Sequence, residues 1–245
     1  MASPLFPVRA YLPQEHGAWF MFFVPLVVGF VRFPSGWNVS LALGLGLLFL
    51  STGGWLRYFR SRFREEHALI WGGVLTGAGI LFLLPPLIHV PVLYGFLAIG
   101  ILLALVYARE VLRRREKTIP AHITLSFLLP LPYPLLATSE AGTLTAGAWH
   151  GYFLFAAMIV GSSLYVKSLI RERSNPTYAW ASHAYHVAIP LAFALIRPTY
   201  ALLFLPALAR DLGTPRTRKI TPAVVGVIEI ANFLAFGILF LLWGG

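Results

Sequence analysis

Nine apolar runs, most of them close to the length that crosses a bilayer, limit what this chain can fold into more than any other feature. A helix rises about 1.5 Å per residue, so about 20 apolar residues span the hydrocarbon. In order, the runs are Gly17–Val31, Val39–Trp55, Ala68–Ile88, Val92–Tyr107, Ile119–Ala137, Trp149–Ile170, Tyr178–Ile196, Tyr200–Ala209 and Pro222–Trp243. Stretches such as Leu41-Ala-Leu-Gly-Leu-Gly-Leu-Leu-Phe-Leu50 are apolar on every side, whereas a membrane β-barrel strand would alternate apolar and polar residues. With 58% hydrophobic and only 11% charged residues, no soluble module or polar linker fits between the runs. The expected fold is an all-α, polytopic bundle of about nine transmembrane helices, with residues 1–245 forming a single integral membrane domain.

Local chemistry punctuates the runs. Asn175-Pro176 and Thr221-Pro222 read as helix starts, a polar cap followed by proline at the first helical position. Pro25, Pro130, Pro132, Pro134 and Pro190 fall inside runs and predict kinks. Gly44, Gly46 and the pair Gly73 and Gly77 suggest close helix packing, the pair having the four-residue spacing that lets backbones approach. No cysteine is present, which excludes disulfides, thiolate metal sites and cysteine nucleophiles. The first sixteen residues lack the pattern of a removable signal peptide.

Charge orients the runs. With nine crossings, 17 of the 19 basic residues fall on the side of the N-terminus, leaving Arg32 and Arg197 opposite. If the short eighth run were re-entrant, the split would be 13 against 6. The positive-inside rule therefore favours nine crossings, the N-terminus in the cytoplasm and the inner membrane as location. The net charge of +10 suits anionic lipid head groups or phosphorylated ligands, and nothing suggests nucleic acid binding.

Two loops concentrate this charge. If the second helix continues past Trp55, Arg57, Arg60 and Arg64 share a face, and Lys167 and Arg171 repeat that logic after the sixth run, with Arg173 close behind. Guanidinium forks make bidentate bonds to phosphate oxygens, so these six are candidate phosphate ligands. The competing explanation is attraction to anionic lipid without a pocket. Within the apolar runs, Glu229 stands out, because an ionisable residue in a membrane helix is costly. Asn232 shares its face, and His183 and His186 lie at a similar depth at i, i+3. These histidines could equally serve interhelical hydrogen bonding. Glu15, His16, Tyr165 and Tyr185 complete the candidate polar lining. No hydrolase, nucleotide or zinc signature appears, so the reading includes no metal and no cofactor.

Pro13-Gln-Glu-His-Gly-Ala-Trp19, and Val166-Lys-Ser-Leu-Ile-Arg-Glu-Arg-Ser-Asn175 followed by Tyr185-His186, resemble the YwiC-like family of bacterial membrane proteins. That resemblance implies a fold and a site but no reaction. More distantly, nine helices with polar loops after the second and sixth resemble the UbiA superfamily of intramembrane prenyltransferases. Those enzymes hold an isoprenoid diphosphate through Mg²⁺ on two aspartate-rich motifs, whereas Asp211 is the sole aspartate here. The likeness thus implies a cytoplasm-facing cavity for an isoprenoid or lipid phosphate, with basic side chains in place of metal. Its enzymatic version is Mg²⁺-independent prenyl transfer with Glu229 or His186 handling the proton. Two other classes compete: a proton-coupled carrier using Glu229, His183 and His186, and a partner protein binding haem or metal through its histidines. Membrane lipids are the expected partners, and the oligomeric state is open.

Overall fold

The structure is a computed structural model that describes residues 11–14, 16–216 and 220–244, and at His16 the backbone alone. Every regular element among them is helical: α1 (His16–Arg32), α2 (Gly36–Arg60), α3 (Glu66–His89), α4 (Leu93–Leu112), α5 (Ile119–Leu128), α6 (Pro132–Ala141), α7 (Ala146–Leu169), α8 (Pro176–Ala194), α9 (Pro198–Leu203), α10 (Leu205–Gly213) and α11 (Pro222–Trp243). The expected starts hold. Asn175 accepts from the Thr177 amide and Thr221 from the Val224 amide, each with proline opening the helix. Ser35 and Thr145 cap α2 and α7 in the same way. A hydroxyl or amide oxygen at such a position satisfies an amide that the helix leaves without a partner.

Six helices among the described residues are long and apolar enough to cross a membrane: α2, α3, α4, the α5–α6 pair taken together, α7 and α11. The expected nine are not all of this kind. Helix α1 has 17 residues and α8 has 19, and the eighth run divides at Phe204 into α9 and α10. Prolines explain the other division, because the chain turns between Leu128 and Pro132 where Pro130, Pro132 and Pro134 crowd together. Pro25 and Pro190 remain inside α1 and α8.

Contacts between helix ends define two ends of the bundle. At one, Arg57 at the end of α2 pairs with Glu65 before α3, Arg60 pairs with Glu116 after α4 at 3.1 Å, and the Tyr165 hydroxyl of α7 meets Thr214 after α10 at 2.8 Å. At the other, Arg32 at the end of α1 donates to the Phe240 carbonyl at 3.3 Å, Trp37 packs edge-on against His89, and His150 lies against Tyr200. The core between them is aromatic, with Phe155 of α7 stacked on Phe240 of α11 at 4.8 Å and Tyr133 of α6 against both.

Helix α3 packs chiefly on α2. The glycines that permit it differ from the expected pair. A Cβ on Gly44 would lie 2.8 Å from the Gly79 carbonyl, and one on Gly54 would lie 2.7 Å from the Ala68 carbonyl and the Gly72 amide. Gly73 and Gly77, and Gly46 on α2, face open space, so that part of the packing expectation is corrected.

Candidate functional site

A cavity of about 730 Å³ opens between α2, α4 and α5, with the segment before α1 along its rim. Phe49, Leu56 and Phe59 of α2 face Ile101 and Leu105 of α4, and Leu125 of α5 closes the back. At its polar end stand Thr52, Arg57, Arg60, Ser61 and Glu65. The rim is held by close approach: a Cβ on Gly53 would meet the Tyr11 carbonyl at 2.1 Å, so glycine is what lets the chain cross α2 there. The Arg57 guanidinium covers the Tyr11 ring at 5.3 Å, and the Trp19 indole donates to the Pro13 carbonyl at 2.9 Å. Glu15 and the side chain of His16, both expected in the polar lining, lie outside the described residues.

Helix α2 does continue past Trp55, as the basic face required, but it stops at Arg60. Arg62 and Phe63 then adopt positive φ, and Arg64 leaves the helix, so Arg57, Arg60 and Arg64 do not share one helical face. The second basic group departs in the same way, since α7 ends at Leu169 and Arg171 and Arg173 follow it off the helix. Lys167, Arg171 and Arg173 do not line the cavity. Lys167 is buried in the last turn of α7, which packs against α5, the helix that carries His122 in its first turn.

The expected inner residues do meet, in a buried network that joins α7, α8, α10 and α11 away from the cavity. Glu229 pairs with Arg210 and accepts from the Ser162 hydroxyl. Arg210 also donates to His186 Nε2 at 3.0 Å and stacks on the Tyr165 ring at 3.9 Å. Accepting at Nε2, His186 carries its hydrogen on Nδ1, which donates to the Ser182 carbonyl at 2.8 Å. Asp211, fully buried, accepts from Ser182 at 2.6 Å, bonds His183 Nδ1 at 2.5 Å and pairs with Arg216. Two guanidiniums thus face two carboxylates, and each buried charge has an opposite partner, the condition under which such burial is tolerated. Tyr185 donates to the Ala157 carbonyl at 2.8 Å, and among the described residues the Asn232 side chain reaches the Met158 sulfur at 3.9 Å.

Sequence reasoning found Glu229, His186, His183 and Tyr165 but missed Arg210, Asp211, Arg216, Ser162, Ser182 and Thr214. One signal was available: the sole aspartate, preceded directly by arginine, sits at the end of an apolar run. Among the described residues no group of three or more His, Asp or Glu is placed to hold a metal ion.

Six long apolar helices among the described residues mark a multi-pass membrane protein. The chain belongs to the YwiC-like family: the family described as YwiC-like protein matches residues 12–137. Over 240 residues it is 28% identical to a Bacillus subtilis (strain 168) protein described as uncharacterized protein YwiC, covering 96% of this chain and 99% of that one. It is 29% identical over 243 residues to an uncharacterized protein of Haemophilus influenzae (strain ATCC 51907 / DSM 11121 / KW20 / Rd), covering 96% and 98%. No solved structure matches.

Proposed function

We propose that the protein binds, in the α2–α4–α5 cavity, an amphiphile with a long apolar chain and a phosphate-type head, of which an isoprenoid phosphate is the simplest example. The observation that carries this reading is the cavity itself: apolar walls over most of its length, and two arginines with a serine and a threonine at one end. Its volume falls within the range of about 300–1,000 Å³ usual for small-molecule sites.

Charge at that end supports an anionic head despite the local ion pairs. Glu65 and Glu116 offset Arg57 and Arg60. Yet residues 57–66 carry four basic side chains against two acidic, and residues 109–117 carry five against two. The field over the polar end is therefore positive, and a phosphate entering it exchanges with carboxylates that the arginines already hold in place.

Binding, rather than prenyl transfer, is the event this geometry supports. Glu229 and His186, the expected proton-handling groups, lie in the buried network and not on the cavity wall. The carrier reading would use that same network, but its charges are matched pair by pair, which favours a packing role. In this proposal the polar end faces the cytoplasm, the membrane is the bacterial inner membrane, and the α9–α10 pair completes a ninth crossing.

The test is thermal unfolding of the detergent-purified chain with geranylgeranyl diphosphate, with and without EDTA, beside geranylgeraniol and a phospholipid. A ligand at 100 times its Kd should stabilise by about 2.7 kcal/mol. The expected result is stabilisation by the diphosphate that survives EDTA, exceeds that of the alcohol, and disappears in Ala108→Trp, which fills the cavity. Equal shifts in wild type and Ala108→Trp would overturn the assignment of ligand to cavity.

A further inference from the structure

The six basic residues expected to form one clamp separate into two groups, and the second has the less balanced charge. Arg57 and Arg60 each face a glutamate. Lys167 and Arg171 form no ion pair among the described residues, and Glu172 is the one acid between the end of α7 and the start of α8. Lys167 is nevertheless only 8% exposed, so its ammonium is held at the surface of the fold by a stem packed inside it. Across from it on α5, His122 has a buried Nε2 with no hydrogen-bond partner among the described residues. Helix α5 packs against α7, with His122 in its first turn and Lys167 in the last turn of α7, just before Arg171.

Lys167, almost wholly buried in the last turn of α7, and Arg171, just past the helix end, are two cations that repel one another unless something negative lies between them. A buried ring nitrogen without a partner costs the free energy of a lost hydrogen bond. One ligand chemistry relieves both. A tetrahedral oxyanion accepts from the lysine ammonium, the arginine fork and the imidazole N–H together, and its charge offsets theirs.

We infer that Lys167, Arg171 and His122 form a binding site for a phosphate-type oxyanion, separate from the α2–α4–α5 cavity. The site lies where α7 leaves the bundle, so its anion is either free phosphate or pyrophosphate, or the phosphodiester of a membrane lipid. The chemistry recognised is the same in both cases. It does not depend on the cavity holding an amphiphile, because none of the three residues lines that cavity.

The experiment measures the unfolding midpoint of the full chain in neutral detergent against inorganic pyrophosphate, and separately in nanodiscs of phosphatidylcholine with and without phosphatidylglycerol. Removing one charge-assisted hydrogen bond should weaken the apparent affinity about tenfold or more. Stabilisation is expected in wild type and in Arg113→Gln, an exposed basic residue of neither site, and it should be lost in Lys167→Gln, His122→Asn and Arg171→Gln. Arg171 follows the helix end, so Arg171→Gln keeps the test decisive if the Lys167 variant fails to fold. A shift with pyrophosphate identifies a free anion, and a shift with phosphatidylglycerol alone identifies a lipid head. No shift with either, or shifts that persist in Arg171→Gln and His122→Asn, would overturn the site. Ala108→Trp should leave these shifts intact, which separates failure here from failure of the cavity reading.

Discussion

Arg210 and Glu229 show how a single buried pair both ties helices together and makes them vulnerable. Each side chain is 6% exposed, and the pair joins α10 to α11 while Arg210 reaches His186 on α8 and Tyr165 on α7. Removing one partner leaves a buried charge without its counterion, which typically costs about 3–5 kcal/mol, whereas replacing both by apolar residues is often neutral. Glu229→Leu should therefore lower the unfolding midpoint sharply, and Glu229→Leu with Arg210→Met should recover most of the loss. A double variant no better than Glu229→Leu alone would show that the network does more than neutralise charge, and would revive a proton-handling role. Glu229 was legible in the sequence because an acid in an apolar helix has few explanations. Its partners were not, because Arg210 and Asp211 sit at the end of their run, where a charge reads equally as a topology signal. Depth in the bundle is a tertiary property, and hydropathy does not report it.

Among the elements, the seam between α2 and α3 rests on glycines whose backbones nearly touch. Gly54 has no room for a side chain against the backbone at Ala68 and Gly72, while Gly77 on the same pair of helices faces open space. Gly54→Leu should destabilise by at least the about 1–3 kcal/mol of an overpacked core, read as a lower thermal midpoint. Gly77→Leu should leave that midpoint near wild type, and equal losses from the two would contradict this seam. The sequence placed the helices well: the runs Ala68–Ile88 and Pro222–Trp243 became Glu66–His89 and Pro222–Trp243. It could not choose among the glycines of α3, since Gly72 and Gly79, two turns apart, and Gly73 and Gly77, one turn apart, both suit close packing. Only the partner helix decides which face is inside. The same limit applies to the basic clamp, whose helical spacing ended with α2 at Arg60 and α7 at Leu169.

For the whole molecule, the number of times the chain crosses turns on α9 and α10. Together they are short for a span, yet their contacts run the length of the bundle, from Tyr200 beside His150 to Asp211 beside His183. The Asp211 carboxylate and the Arg210 guanidinium are bound to residues about two turns into α8 and α11, in the first half of each, so that end of α10 lies toward the side where those helices begin. A crossing keeps 17 of 19 basic residues on one side, against 13 if the segment turned back. Because the chain has no cysteine, a single introduced thiol reports its side of the membrane without interference. Ile196→Cys, before α9, and Pro215→Cys, after α10, are both exposed positions. In intact cells a membrane-impermeant maleimide should label Ile196→Cys and spare Pro215→Cys, and in inverted vesicles the pattern should reverse. Lys117→Cys should follow Pro215→Cys, since both lie at the basic end, and Glu140→Cys should follow Ile196→Cys. Labelling of Ile196 and Pro215 from the same side would remove the ninth crossing. It would also carry Arg210 and Arg216 across with it, so the buried pairs would then have to form in a bundle whose last two elements re-enter from the outside.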